Sequence, residues 1–316
     1  DCCLAKWDVE RVPLVIYTNG GMVEGLVEPT NYDILRCTDC EHLVGKPIGQ
    51  SYGVITNAQF LDMCREAVGR TAHKIKSVGS LRNRGRIFVT FQLDQDTLVK
   101  IGKRTFQDYL TAGSSHDQSC ELFWANTGTC TVCDNTFTMN LASVRQSVEA
   151  DESDENGNAR LRHSKNAVAK LPGISDIINR AVGLRAEFYA ALRTLEKSIT
   201  TAKRAERIFA AFEASKDAEE LATITKRRVN DLMLLFFSGR GNAGSNLLDV
   251  FSAITDYYTH SNTGADNQRQ WESSEYGVGA ARKRMAFKLL TDGAMLQAAE
   301  VRGEKLLANT GFAGLE

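Results

Sequence analysis

Short stretches of alternating apolar and polar residues, each ending at turn-forming residues, fill the N-terminal half of the chain. Leu14–Tyr17, Ile87–Leu93 and 121–131 show the strand-like character that this pattern gives. Apolar residues between 58 and 69 instead recur every three or four positions, and Asn57 precedes them as a candidate N-cap. The pattern therefore predicts an N-terminal antiparallel sheet with packed helices, which is an α+β fold.

The apolar period changes to 3.6 residues in the C-terminal half. One apolar stripe runs from Ile174 to Leu192, and the same spacing returns at 279–291 and 293–307, which predicts a helical region. Between the halves, residues 149–158 are acidic and poor in apolar side chains, which is typical of a surface loop. We therefore predict three regions: an α+β sheet domain at 1–148, an acidic loop and basic connector at 149–170, and a helical domain at 171–316.

The apolar segments are too short for a membrane protein. The longest run, Leu232–Phe237, falls far below the roughly 18–20 residues that span a bilayer. The first residues, Asp1–Cys3, lack the basic and apolar segments of a signal peptide. We expect a cytoplasmic protein with no membrane partner.

Charge is distributed in blocks, although 38 basic and 39 acidic residues give a net charge of −1. Residues 70–104 contain nine basic and two acidic side chains. Residues 159–230 contain fifteen basic and eight acidic side chains. Near-neutral total charge therefore does not exclude a nucleic-acid partner, because a local basic surface can neutralise phosphates. Solvated faces that happen to cluster are the alternative interpretation.

The basic block at 70–104 is the most specific signal for binding. Its cations flank strand-like segments, so several of them are expected on one exposed face, where they would contact successive phosphates. The candidate DNA-binding residues are Lys74, Lys76, Arg82, Arg84, Arg86, Lys103 and Arg104, with a second contact at Arg162 and Lys165.

Three aromatic residues lie among these cations: Phe88, Phe91 and Phe106. On the surface they would stack on unpaired bases, as in proteins that bind single strands. In the core they would only pack against the sheet. The sequence leaves both interpretations open.

Four polar residues suggest a different function. His116, Asp117, His163 and His260 lie in polar segments and are residue types that bind metal ions or act as general bases. Their spacing in the sequence does not bring them together. A metal-dependent nuclease or hydrolase is therefore the alternative function.

Eight cysteines include two CxxC pairs, Cys37/Cys40 and Cys130/Cys133. Two such pairs can hold a zinc ion, but about ninety residues separate them, which is much longer than in a zinc ribbon. A redox pair is a further alternative. Buried apolar thiols are the favoured interpretation, so we predict no metal.

Gly239–Gly244 matches the pattern GxGxxG. The dinucleotide-binding version of this motif follows a strand and begins a helix within a parallel sheet. Here the preceding segment is helical, so the motif predicts a loop between helices. No phosphate-binding P-loop pattern is present, and we expect no cofactor.

Several motifs, in order along the chain, resemble a family of phage and plasmid proteins. The matching segments are Gln50–Asn57, Ser114–Asp117, Cys130–Thr136, Leu161–Asn166, Asn246–His260 and Tyr276–Lys283. They are similar to the domain of unknown function numbered 932, although Gln118 stands where the family motif has glycine. The resemblance implies a phage or mobile-element protein in a bacterial cytoplasm and assigns no activity. Cys133 corresponds to a cysteine of the family motif, whereas Cys37 and Cys40 correspond to no motif cysteine.

Our first hypothesis is a single-stranded DNA binding and annealing protein that works without ATP in recombination or replication. The chain combines a basic α+β region with a helical region, and the helical region could join identical subunits into a ring or filament. This architecture is similar to that of annealing proteins of the Red-beta type. It would therefore not be an enzyme in the usual sense. A third hypothesis is a protein that binds and blocks a host factor, because a charged surface would serve that purpose equally well.

Overall fold

The chain forms two compact units that interleave along the sequence. A computed structural model describes residues 3–18, 26–71, 74–92, 98–130, 136–138, 159–166, 174–261, 270, 273–274 and 277–311. Unit 1 comprises residues 1–94, 109–126 and 149–183, and unit 2 comprises 95–108, 127–148 and 184–316. The sequence had suggested contiguous regions, whereas each unit combines separate segments because strands distant in sequence pair with one another.

A three-stranded antiparallel sheet lies at the start of unit 1. It contains β1 (Val9–Thr18), β2 (Leu26–Cys37) and β3 (Leu43–Gly49) in that order. The pairing of β1 with β2 shifts between Pro13 and Val15. Proline has no amide proton to donate to a neighbouring strand, so this irregularity on an outer strand is expected.

A second antiparallel sheet has the strand order β10-β8-β7-β5-β4, with β6 paired to β7 and β9 paired to β8. Its strands are β4 (Lys74–Leu81), β5 (Arg86–Gln92), β6 (Val99–Ile101), β7 (Arg104–Ser115), β8 (Leu122–Cys130), β9 (Thr136–Thr138) and β10 (Ala159–Leu161). Strand β4 ends this order and pairs with β5 on one side. The predicted α+β fold with an N-terminal antiparallel sheet is confirmed.

Helices make up most of the described part of unit 2. They are α2 (Ile174–Lys197, whose first turns belong to unit 1), α3 (Ala202–Glu213), α4 (Thr223–Ser238), α5 (Leu247–Asp256, followed by a π-helical turn at Tyr257–Ser261), α6 (Val278–Thr291) and α7 (Gly293–Thr310). The loop Gly239–Gly244 connects α4 to α5, as predicted. Helix α7 packs so closely on α3 that a side chain at Gly303 would collide with the backbone of Arg207.

Helix α1 (Asn57–Thr71) begins with a capping box formed by Thr56 and Gln59. The Thr56 hydroxyl accepts the Gln59 amide proton at 3.2 Å, and the Gln59 side chain accepts the Thr56 amide proton at 3.0 Å. Asp8 also accepts the backbone amide protons of Asn57 and Ala58. The prediction that the Asn57 side chain caps the helix is therefore wrong, which leaves that side chain for another contact.

Each unit has its own apolar core. Phe88 and Phe91 are buried within the sheet of unit 1, and Phe106 is fully buried in the core of unit 2. The interpretation that these rings stack on nucleic-acid bases is wrong, because no base can reach them. Among the described residues, no helix is both long and apolar enough to cross a membrane.

Candidate functional site

Two backbone segments meet at one end of strands β4, β5 and β7 of the second sheet. The turn Arg82–Gly85 joins β4 to β5, and the amide protons of His116 and Asp117 are donated to the Gly85 carbonyl oxygen at 2.8 and 3.1 Å. We call this region the polar end: the turn Arg82–Gly85, the segment Ser114–Cys120, Asn57 and His163.

The turn at the polar end has a costly backbone conformation. Arg82, Asn83 and Arg84 have φ angles of 52°, 50° and 69°, in the left-handed region that residues with a Cβ rarely adopt. Such residues persist only where the surroundings hold them. Here Arg84 forms an ion pair with Asp39 and lies over the Trp7 ring, 4.9 Å from its centre.

His116 is the buried centre of the polar end. Its Nε2 lies 2.9 Å from Oδ1 of Asn57, whose Nδ2 donates to the Trp7 carbonyl oxygen at 2.9 Å. The ring also contacts Trp7 edge-on. Burial lowers the pKa of His116 to about 4, so the imidazole is neutral at pH 7. The side chain thus ties the loop after β7 to the start of α1.

His163 forms a second imidazole contact at the polar end. Its Nδ1 lies 3.1 Å from the Gly53 carbonyl oxygen, and its Nε2 lies 3.3 Å from Oγ of Ser114. A carbonyl oxygen only accepts, so Nδ1 carries the proton and Nε2 accepts from the Ser114 hydroxyl. A serine activated by histidine is a nucleophile in many enzymes. Ser114 is fully buried, however, and the contact therefore serves to hold the segment around Gly53 against β7.

Asp117 stabilises the same loop. Its Oδ1 accepts the Ser119 amide proton at 2.9 Å, and its Oδ2 lies 4.0 Å from Arg82. Gln118 follows with a φ of 60°, and its side chain donates to the Lys46 carbonyl oxygen at 2.8 Å. A glycine would adopt this backbone conformation more easily.

Three of the four residues of the nuclease hypothesis lie in one region of unit 1. His116, Asp117 and His163 lie at the polar end, whereas His260 belongs to unit 2. Within the described ranges, three or more ligand atoms close enough to share a metal ion occur only at Cys37, Asp39 and Cys40. No specific observation favours a metal-dependent nuclease.

The candidate DNA-binding residues fall into several groups. Lys74 and Lys76 are exposed at the start of β4, whereas Arg82, Arg84 and Arg86 lie at its other end. An eight-residue strand is roughly 24 Å long, so these groups do not form one compact cluster. Arg84 is paired with a carboxylate, and Arg86 donates to Oγ of Ser119 at 2.6 Å.

The second predicted contact lies near the polar end. Arg162 is exposed and lies 3.3 Å from a Glu121 carboxylate oxygen, and Lys165 is exposed close by in sequence. Lys103 is exposed in unit 2, in the turn between β6 and β7. Arg104 must be removed from the candidates: it is 3% exposed and forms an ion pair with the buried Asp249, so a phosphate cannot reach it.

A model of the protein family described as "Domain of unknown function (DUF932)" matches residues 46–286 of this chain. The chain belongs to this family. Comparison with curated proteins and with solved structures gave no match. The predicted family is confirmed, and the similarity in architecture to Red-beta-type annealing proteins stays a prediction.

Family motifs of DUF932 coincide with structural contacts in both units. In unit 1, the motif residues Asn57, His116 and His163 hold the polar end together. In unit 2, the motif residue Asn246 caps α5 by accepting the Asp249 amide proton at 2.9 Å. Cys133 and Tyr276 lie outside the described residues. The matched motifs therefore maintain the fold of this DUF932 member at these positions.

Sequence analysis missed the contacts that cross between distant segments. Asp39 and Trp7, which hold Arg84, are far from it in the sequence and belong to no motif. The only sequence signal for this contact was Asp39, an acidic residue between the cysteines of the Cys37/Cys40 pair. Nothing in the sequence identified Arg84 as its partner.

Proposed function

We propose that this DUF932 protein binds single-stranded DNA along the first half of strand β4, without nucleotide hydrolysis. The observation that carries the proposal is the exposure of four successive residues, Lys74–Ser77, at the end of the strand order. The pairing with β5 shifts between Ile75 and Ser77, which interrupts the regular alternation of the strand, and all four side chains are exposed. Within the described ranges, no carboxylate forms an ion pair with either Lys74 or Lys76.

The spacing of these two lysines suits a polyanion. The strand is irregular here, and the Cα atoms of Lys74 and Lys76 are at most about 6.8 Å apart. Two ammonium groups at this spacing can neutralise two different phosphates. Ile75 lies between them and is 50% exposed, which offers an apolar contact to a sugar or base. The arginines of the polar end would extend the contact once phosphates replace their carboxylate partners.

We expect K74A/K76A to weaken binding of a fluorescein-labelled oligothymidine and to reduce its salt dependence. Each lost phosphate contact on a single strand removes about 0.7 from the slope of log K against log salt, so the slope should fall by about 1.4. Fluorescence anisotropy titrations at several salt concentrations measure both quantities. The control K216A/K305A removes the same charge from exposed positions in unit 2 and should leave the slope unchanged.

Two results would contradict this proposal. Absence of binding by the wild-type protein at low salt would mean that no single-strand site exists. Alternatively, K74A/K76A could bind as the wild type does but aggregate, because lysines on an outer strand also prevent pairing between sheets. The second result would show that these lysines keep the protein soluble and do not bind DNA.

Annealing requires two strands to be held at once, and we therefore propose that copies of the chain associate into a ring or filament. Exposed apolar side chains on unit 2, including Ile224, Val278 and Val301, support such contacts. Multi-angle light scattering should give a mass of several subunits when the oligonucleotide is present. A monomer mass with and without DNA would contradict the proposal.

A further inference from the structure

Two thiols lie side by side in the connection between β2 and β3. Cys37 ends β2 and is 2% exposed, whereas Cys40 follows the turn and is exposed. Both sulfur atoms and a carboxylate oxygen of Asp39 lie within 4.8 Å of one another. Neither thiol is in a disulfide.

Arg84 supplies a positive charge to this cluster. Its Nη1 lies 3.6 Å from Sγ of Cys40 and also donates to Oδ1 of Asp39. The guanidinium group is held by the ring of Trp7. The thiolate is the nucleophile in thiol–disulfide exchange, and this guanidinium group is the cation that faces the exposed Sγ of Cys40.

The same guanidinium group makes a metal ion a poor occupant. Structural zinc sites have four ligands, whereas this cluster offers three. Arg84 already contacts two of them, so its charge would repel a divalent cation at the coordination position. The arrangement therefore fits a pair of reactive thiols better than a metal site.

We propose that Cys37 and Cys40 are a reversible dithiol–disulfide pair that reacts with low-molecular-weight disulfides of the glutathione type. The Cys40 thiolate attacks one sulfur of the small disulfide, forming a mixed disulfide and releasing one thiolate. Cys37 then attacks Sγ of Cys40, and the second small thiolate leaves and takes up the Cys37 proton. In total, two protein thiols are oxidised and one small disulfide is reduced to two thiols.

The backbone allows this bond. Cys37 and Cys40 flank the turn residues Thr38 and Asp39, and the ends of such a turn lie within about 7 Å of each other. Disulfides join residues whose Cα atoms are about 4.4–6.8 Å apart, so side-chain rotation with little backbone change is enough. This inference does not rest on the proposed DNA binding.

We expect oxidised glutathione at neutral pH to produce a Cys37–Cys40 disulfide in the native protein. Peptide mapping after acid quenching and alkylation should show a peptide lighter by two hydrogens and not alkylated at either position. C37S should stop at the mixed disulfide on Cys40, and C40S should form neither product at this turn. R84Q should slow the wild-type reaction about fivefold, because it removes the cation 3.6 Å from the attacking sulfur of Cys40.

The control variant C64A removes a thiol from helix α1, outside the polar end, and should react as the wild type does. Accumulation of a mixed disulfide at Cys40 in the wild type, without closure by Cys37, would overturn the proposal. So would continued alkylation of both thiols after oxidation. Zinc that copurifies with the protein and protects both thiols until a chelator removes it would identify a metal site instead.

Discussion

D249N is expected to lower the free energy of unfolding of unit 2 by about 3–5 kcal/mol, because it leaves the Arg104 guanidinium group buried without its counter-charge. The two side chains are 3% and 1% exposed. Arg104 also donates to Asn242 at 2.6 Å, and Asp249 accepts the Ser245 amide proton at 2.9 Å. Urea unfolding followed by the helical circular dichroism signal measures the loss, since unit 2 contains most described helices.

The double variant R104M/D249L should recover much of that loss, because an apolar pair of similar volume leaves no buried charge. D62N is the matched control: Asp62 pairs with Arg65 on the surface of α1, where both side chains are mostly exposed, and the cost should stay below about 1 kcal/mol. Equal unfolding midpoints for D249N and D62N would contradict the structural role of the buried pair. The double variant should also retain any DNA binding, since Arg104 is inaccessible.

The elements of the fold were predictable because their signals are local. Alternation identified the strand around Phe88, and the 3.6-residue period identified α6 and α7 within a few residues of their observed ends. Burial was harder to predict. Phe88 and Arg104 both lie in a basic, strand-like segment, and only the packing of distant chain segments against them decides that neither reaches solvent.

The candidate site was predictable in residue type but not in geometry. Sequence analysis identified the lysines of β4 and the arginines of the next turn as one basic block, although a strand's length separates them. For Cys37 and Cys40 it left burial, zinc and a redox pair as alternatives, because Arg84 is more than forty positions away in the sequence. Contacts of this kind depend on which strands pair, and the local pattern does not determine that.

The stability of unit 1 is expected to fall between pH 6.5 and pH 4 because of His116. Burial lowers the pKa of this histidine in the folded protein to about 4, whereas the unfolded value is 6.5. Above pH 6.5 both states are neutral and the full stability is present. Below it, the unfolded chain takes up a proton that the folded protein does not, so the free energy of unfolding falls by about 3 kcal/mol by pH 4. Burial also lowers the pKa of His163, which acts in the same direction.

H116Q separates this effect from the titration of carboxylates in the same pH range. A glutamine amide can still donate to Oδ1 of Asn57, but it does not titrate, so the loss of stability between pH 6.5 and pH 4 should be smaller than in the wild type. The charges of Asp8 and Asp117 raise the pKa of His116, and His163 lowers it further. All three residues remain in the variant. H260Q, at an exposed position in unit 2, should follow the wild-type curve. Parallel curves for H116Q and the wild type, measured by urea unfolding at each pH, would show that His116 is not held neutral by burial.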